Sequence, residues 1–562
     1  MARQNGNGER VKSMEAWIWD AACSIRGAAD ASKFKDYILP LIFVKRLCDV
    51  FDDEIDRIAE NLSAKASAKA EVKTSAAVSL PNRTKALQLV ERDKSLVRFY
   101  MPIRPKDPEK ESTWDVIRTL SDKIGQQLTD ILRSVAKENP SLQGIIDRID
   151  FNATTHGQRD IDDDRLSKLI EKIAEKRLGL KDVEPDIIGR SYEYLIRKFA
   201  EGSGQSAGEF YTPAEVGFIM AKIMDPEPGM EVYDPTCGSG GLLIKCELVL
   251  EEKMRLRLRS AASTRYAPLK LYGQEFTPAT WAMSKMNMVI HDMEGEIEIG
   301  DTLKNPKFRA SATLSTQGKN SLKKFDRIVA NPMWNQGRDS LPYINDDFFI
   351  NDEFGRFPAG SCGGKIDWGW MQHIYSSLND TGRAAVVLDT GAASRGSGNQ
   401  GNNKEKDCRK WFVENDLIEG VIYLPENLFY NTSAPGIIIF LNKAKPAHIK
   451  NKIYMLHAGK EFEKGDPKNY IPPASIEKIT DYYKAFKEEE NPPDGQAGFA
   501  RLVSKEEIVK NDYNISPSRY IQITDAETYR PISEIVEELN ILEEEAVAID
   551  KELKAILDKL II

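Results

Sequence analysis

Cysteine and histidine are scarce in this chain, with six of one and five of the other in 562 residues. Cys23, Cys48, Cys237, Cys246, Cys362 and Cys408 form no C-x-x-C pair, and the histidines form no H-x-x-x-H. Neither a disulfide framework nor a metal site is supported, and buried free thiols are expected. Long apolar runs are also missing. The longest, Ile38 to Val44 and Gly436 to Leu441, fall far short of the ~20 residues that cross a bilayer, so no membrane contact is expected. Met1 to Arg10 is polar, with no apolar stretch behind it to direct export, and a cytoplasmic location follows as the expectation. Positive charge is not in excess. With 78 Lys and Arg against 87 Asp and Glu, the formal charge is −9, which excludes tight electrostatic binding of nucleic acid by the chain as a whole. Contact with DNA then has to be local or delegated to a partner.

What remains is a globular composition, 41% hydrophobic and 29% charged, long enough for several domains. Trp17, Ile18, Ala21 and Ile25 recur at helical spacing, and Tyr37, Leu41, Val44, Cys48 and Phe51 do the same around Pro40, where a kink is expected. Helical patterning resumes from Thr113 to Ala200. Residues 1–200 therefore read as a helical domain, interrupted at 63–79 by a low-complexity Ala/Lys/Ser insertion. From Gly229 short β-rich runs alternate with helices: Met230 to Tyr233, Leu269 to Tyr272, Ile297 to Ile299, Phe325 to Ala330, Ala384 to Leu388, Gly420 to Leu424 and Gly436 to Leu441. That alternation describes an α/β fold with a doubly wound sheet over 201–460. The last two runs are too close for a crossover helix, which favours an antiparallel pair. Gly396 to Asp407 reads as a mobile surface loop, and 461–530 as a mixed, charged connection. In 531–562, Ile532, Ile535, Leu539, Leu542, Ala546, Ile549, Leu553, Ile556 and Leu560 step alternately by three and four, the a/d seam of a coiled-coil-like helix.

The chemistry gathers at strand ends. Met230-Glu-Val-Tyr-Asp234 runs into Pro-Thr-Cys-Gly238-Ser239-Gly240-Gly241, a strand that ends in an acid and turns through glycines into a helix, so that backbone N–H groups can approach a ligand. A nicotinamide-dinucleotide site would need a third glycine where Leu243 stands, which weakens an oxidoreductase reading. The next strands end in Glu275, placed to accept a ribose diol, and in Asp301. Acids at successive strand ends describe a nucleoside pocket, and carboxylates suit a sulfonium better than a pyrophosphate, so S-adenosylmethionine is the ligand inferred. The fourth strand leads into Asn331-Pro332-Met333-Trp334. An amide oxygen and a prolyl carbonyl there can accept both hydrogens of an aromatic NH₂ while the indole stacks on the base. Adenine N6, cytosine N4 or a glutamine amide would all fit. Lys253 to Arg259 reads as a solvated helix face, whereas for Lys304 to Lys324 a solvated face and a phosphate contact are both open.

The order Gly208-Glu-Phe-Tyr-Thr-Pro213, Asp234-Pro-Thr-Cys-Gly-Ser-Gly-Gly241, Asn331-Pro-Met-Trp334 resembles the modification subunit of type I restriction-modification systems, an N6-adenine DNA methyltransferase family. Trp17 to Phe51, Ile188 to Leu195, Leu424 to Thr432 and Asn514 to Tyr520 carry the likeness over nearly the whole chain. The resemblance implies a Rossmann-like S-adenosylmethionine-dependent methyltransferase sheet. It implies that Glu209, Phe210, Tyr211, Thr212, Pro213 and Ala214 cover the cofactor, that Ser239, Gly240 and Gly241 line its methionine side and that Glu275 holds its ribose, to which the strand-end reading adds Asp234, Gly238 and Asp301. Asn331, Pro332, Met333 and Trp334 would receive a flipped adenine in double-stranded DNA. It further implies a specificity subunit that chooses the DNA site and joins two copies of this chain, with a restriction or translocase subunit as a further partner. A non-catalytic, cofactor-binding scaffold is the alternative. The family usually has a second proline and then Phe or Tyr where this chain has Met333 and Trp334.

Overall fold

The computed structural model describes residues 14–25, 31–69, 82–155, 157–183, 194–195, 198, 212–258, 266–291, 293–310, 321–337, 339–399, 401–429, 432–465, 468–488 and 498–521. The heptad segment 531–562 and Glu209, Phe210 and Tyr211 lie outside the described residues. The first layer is helical: α1 (Met14–Cys23), α2 (Ala31–Lys69), α3 (Arg83–Arg92), α4 (Thr113–Arg118), α5 (Ile124–Glu138) and α6 (Asp163–Ala174). Their starts carry the expected chemistry, with Asn82 capping α3, a Ser112/Asp115 capping box on α4 and Asp162 capping α6. Trp17, Ile18, Ala21, Ile25, Tyr37, Leu41, Val44, Cys48 and Phe51 are all buried in one core. Pro40 lies inside α2, which runs on to Lys69. The low-complexity insertion therefore begins as helix, since Ala and Lys are strong helix formers whatever their monotony.

The second layer is a sheet of nine strands: β1 (Glu231–Asp234), β2 (Lys270–Glu275), β3 (Gly295–Ile299), β4 (Phe325–Ala330), β5 (Leu378–Asp389), β6 (Ile418–Tyr423), β7 (Gly436–Asn442), β8 (Lys452–His457) and β9 (Ala500–Ser504), in the order β9-β8-β6-β7-β5-β4-β1-β2-β3. β1 to β5 are parallel to their neighbours among themselves, and β7 is antiparallel to both β5 and β6. The doubly wound expectation holds, including the antiparallel closing pair. Strands in the middle are buried on both faces: Ala385, Val387, Ile438 and Phe440 enter one core, and Ala384, Val386, Leu388, Ile437 and Ile439 the other.

Two expectations are corrected. The sheet does not stop near residue 460, because β9, inside the stretch read as a charged connection, pairs antiparallel with β8. A short strand flanked by charge hides from a periodicity argument when its buried residues do not alternate, as in β9, where only Ala500 and Val503 are buried. Gly396 to Asp407 is not a loose loop in its described part. Asn403 caps the helix Lys404–Glu414, and the buried Arg409 binds Ser397 Oγ at 2.8 Å and the carbonyls of Ala392 and Arg395. The polar composition there is used for internal hydrogen bonds.

The helices around the sheet are α7 (Ala214–Met224), α8 (Gly241–Leu258), α9 (Pro278–Ile290), α10 (Asp346–Ile350), α11 (Asp367–Ser377), α12 (Lys404–Glu414), α13 (Pro473–Glu488) and α14 (Lys505–Lys510). α9 joins the layers, since Met283, Met286 and Ile290 enter the helical core while Met288 enters the core beneath the sheet. All six cysteines are free thiols, buried except for the half-buried Cys23. Among the described residues no helix is long and apolar enough to cross a membrane.

Candidate active site

β3, β2, β1 and β4 lie side by side and parallel, so Ile299, Glu275, Asp234 and Ala330 end at one edge of the sheet. The winding direction reverses between β1 and β4. Such a reversal leaves a crevice, because the connections from the two strands leave toward opposite faces. In this crevice Thr212, Asp234, Thr236, Cys237, Gly238, Ser239, Gly241, Leu242, Lys245 and Asn331 line a single cleft. The turns after β1 and β4, about 100 residues apart in sequence, thus meet in space.

The β1 turn is shaped by backbone. Gly240 sits at φ 80°, and a Cβ there would lie 3.0 Å from Met288 Cε and 3.3 Å from Ser284 Oγ, so both conformation and space require glycine. The Asp234 carboxylate accepts from Thr236 N–H at 3.0 Å. Glu275 accepts from Gly238 N–H at 3.1 Å and from Thr277 N–H at 2.8 Å, which ties the end of β2 to the glycine turn. Burial, reinforced by the negative Glu275, pushes the Asp234 carboxyl up to about 8. Burial likewise raises the Cys237 thiol well above its usual value. Asn287 Nδ2 donates to Ser239 O at 3.1 Å and supports the turn from α9.

The β4 turn is shaped by side chains. Asn331 is buried; its Nδ2 donates to Thr212 Oγ1 at 3.0 Å, and its Oδ1 accepts from Trp334 Nε1 at 3.0 Å. The Trp334 ring meets Phe429 edge-on, with centroids 4.7 Å apart. Asn335 follows at φ 57°, with its N–H on Asp367 Oδ1 and its Oδ1 held by Arg395 Nη1 at 2.8 Å. Arg395 also pairs with Asp367, Asp389 and Glu405, which pins the turn to β5, α11 and α12. Burial pushes Asp367 up to about 6 against the pull of Arg395.

Of the expected site residues, Thr212, Asp234, Gly238, Ser239, Gly241 and Asn331 share the cleft, and Glu275 and Gly240 brace its turn. Pro213 caps α7 and Ala214 begins it. Asp301 is not among the cleft-lining residues: its carboxylate accepts from Leu303 N–H, Lys304 N–H and, at 2.6 Å, the Tyr343 hydroxyl, the work of a turn cap. Lys323 and Lys324 precede β4 at the opposite edge, where Lys323 pairs with Glu231 at 2.9 Å, so a phosphate contact near the cleft is ruled out for them. Arg257 pairs with Glu227 on a solvated helix face, whereas the mostly buried Lys253 ties that helix to Asp225 and Glu227. Sequence reasoning missed Lys245 and Arg395. The first was legible, since it lies four residues after Gly241 on α8 and points back toward the turn. Arg395 had no local signal, as its partners Asp389, Glu405, Asp367 and Asn335 lie six, ten, 28 and 60 residues away, none at a helical or strand spacing.

Residues 183–528, more than half of the chain, match the family model described as N-6 DNA Methylase, and residues 14–173 match the HsdM N-terminal domain. The chain is 28% identical to the MjaIX type I restriction enzyme methylase subunit of Methanocaldococcus jannaschii, over 98% of this chain and 92% of that one. It is 32% identical to the MjaVII methylase subunit of the same organism, over 75% of this chain and 68% of that one. The solved methyltransferase subunit of a type I restriction-modification system from Streptococcus thermophilus superposes with TM-score 0.64 at 25% identity, covering 91% of this chain and 99% of its own. The chain therefore belongs to the N-6 DNA methylases, the S-adenosylmethionine-dependent adenine DNA methyltransferases, and within them to the modification subunits of type I restriction systems.

Proposed function

We propose that this chain is the catalytic subunit of a multisubunit enzyme that moves a methyl group from S-adenosylmethionine to adenine N6, at a DNA site chosen by a separate specificity subunit. The observation that supports it most is the meeting of the acid-lined glycine turn with the Asn331 turn in one cleft. S-adenosylmethionine supplies an electrophilic methyl on a sulfonium centre. On the cofactor side Ser239, Gly240 and Gly241 leave room for its methionine part, and Glu275 accepts from its ribose hydroxyls. The buried Asp234 offers a carboxylate that a nearby cation returns to its charged form.

On the base side Asn331 Oδ1 and the Pro332 carbonyl accept the two N6 hydrogens. Adenine N6 is a weak nucleophile because its lone pair is delocalised into the ring, and these two bonds favour a pyramidal nitrogen whose lone pair points at the methyl. A C–N bond forms as the C–S bond breaks, and N6 releases one proton to solvent, so no strong base is needed. The adenine has to leave the duplex stack, at a cost of a few kcal/mol that stacking on Trp334 offsets in part. The net charge of −9 agrees with a site chosen by a partner, because this chain by itself is a poor polyanion binder.

The test uses the complex copurified from the native host, incubated with methyl-labelled cofactor and unmethylated host DNA. Label in N6-methyladenine is expected, together with an Asn331→Ala complex that binds cofactor normally and transfers at least ~1000-fold more slowly. Near-normal turnover in that variant would remove Asn331 from the mechanism.

A further inference from the structure

Asn331 poses a problem that its neighbours solve. A primary amide has nearly the same shape when turned end for end, yet only its oxygen can accept from an aromatic NH₂. Being neutral, Asn331 has no charge to enforce the choice. Its two ends contact different kinds of group: Oδ1 faces Trp334 Nε1 at 3.0 Å, and Nδ2 faces Thr212 Oγ1 at 3.0 Å. A hydroxyl donates or accepts with equal ease, so Thr212 tolerates either end of the amide. An indole N–H only donates. Trp334 is therefore the side chain that decides which end lies where, and the second lone pair of the amide oxygen remains the acceptor type that N6 requires.

The indole is built in rather than resting there by chance. Phe429 meets it edge-on, and the pair fills space that exists because residue 436 is glycine, where a Cβ would lie 2.8 Å from Phe429 Cε2 and 3.0 Å from Trp334 Cη2. Between Asn331 and Trp334 stands Met333, whose φ is free to vary where a proline ring would fix it near −65°. Its sulfur accepts from Gln336 Nε2 at 3.4 Å, a weak restraint. The following residue, Asn335, holds a left-handed φ of 57°. Asn335 is tied to Asp367 and Arg395, whereas the soft position at Met333 lies inside the loop that the Trp334–Asn331 bond closes.

We propose that Trp334 is a positioning residue, whose indole N–H holds the Asn331 amide with its oxygen in the accepting orientation and replaces the restraint that a proline at 333 would supply. This rests on the proposed methyl transfer. The test compares the parent complex with Trp334→Phe, Met333→Pro/Trp334→Phe and Thr212→Val, measuring cofactor affinity by calorimetry and single-turnover methyl transfer to DNA. Trp334→Phe keeps a ring against Phe429 but loses the donor. Its transfer rate is expected to fall about tenfold, with cofactor affinity and DNA KM within about twofold of the parent, because one buried hydrogen bond sets the amide populations. The double variant should recover most of that loss, and Thr212→Val should lose only about threefold, since a hydroxyl does not discriminate between the amide's ends. Three results overturn the proposal: a Trp334→Phe complex as fast as the parent, a double variant no faster than the single one, or a loss of cofactor affinity that matches the loss of rate. A parent complex that places no methyl on adenine N6 instead overturns the methyl-transfer reading and this role with it.

Discussion

The turn after β1 and the turn after β4 stand side by side and are built on opposite principles. After β1, glycines at positive φ bring backbone close, and two carboxylates, Asp234 and Glu275, are fixed by backbone N–H donors. After β4, a neutral amide is fixed by side chains from Thr212 and Trp334, and the turn behind it by Asp367 and Arg395. The first turn is prepared for charge and the second for direction. A cationic methyl donor is attracted by charge wherever its atoms sit within a few tenths of an ångström, whereas a neutral amine has to meet acceptors at defined angles.

The sharpest way to break this contrast is at Arg395. Arg395→Met leaves Asp367, Asp389 and Glu405 facing one another without their cation. Breaking a buried pair costs 3–5 kcal/mol, and with the Arg395 side chain 25% exposed the lower end applies, so a loss of about 3 kcal/mol is expected in urea unfolding at pH 8. Asp367 already sits at about 6 in the folded protein, above its unfolded value. Removing the cation raises it further, and a raised carboxyl stabilises the fold at low pH and loses that contribution as pH rises. The variant's deficit should therefore shrink below pH 6. A deficit that does not change with pH would disprove the electrostatic account of this turn.

On the cofactor side Glu275→Ala should weaken S-adenosylmethionine binding about 30-fold, near 2 kcal/mol, by removing both a ribose acceptor and the tie to Gly238. Gly240→Asp should act in the same direction, through a strained φ and a collision with Met288. Calorimetry measures both, and unchanged affinity in both would refute the pocket. The smallest expected effect is the pH dependence of that binding. With Asp234 at about 8 in the folded protein, against about 4 unfolded, its contribution to stability is full below pH 4 and lost as pH rises through 8. A bound cation favours the ionised form, so affinity should rise about fivefold from pH 6 to 7.5 and the protein should release part of a proton on binding. Cys237, raised far above this range, adds no charge there. Asp234→Asn should flatten the profile; a profile that stays steep would assign the titration to another group.

Much of this was legible beforehand because it is local. The Phe325 to Ala330 strand, the glycine turn and the antiparallel closing pair follow from side-chain alternation, glycine's freedom at positive φ and the short reach of the connection between β6 and β7. The helical faces within Trp17 to Phe51 were legible for the same reason: their buried residues repeat at helical spacing, first around α1 and then along α2. What was hidden is non-local. Asp301 ends a β-run, and its carboxylate is engaged by Leu303, Lys304 and, from farther along the chain, Tyr343, a tie that no local pattern announces. β9 lay unseen in charged sequence, since a strand at the sheet's edge needs only half its residues buried.

The sequence by itself determined which groups can do the chemistry: the acids at strand ends, the glycines that admit a ligand, and the amide and prolyl carbonyl that accept from an amine. Those follow from residue type and spacing within single elements. The tertiary structure decided how they face one another. The reversal of winding between β1 and β4 brings Asp234 and Asn331 to one cleft, burial shifts Asp234 toward neutrality, and Trp334 and Thr212 fix the ends of the amide. Proximity, desolvation and hydrogen-bond direction depend on atoms distant along the chain, which no local pattern of residues encodes.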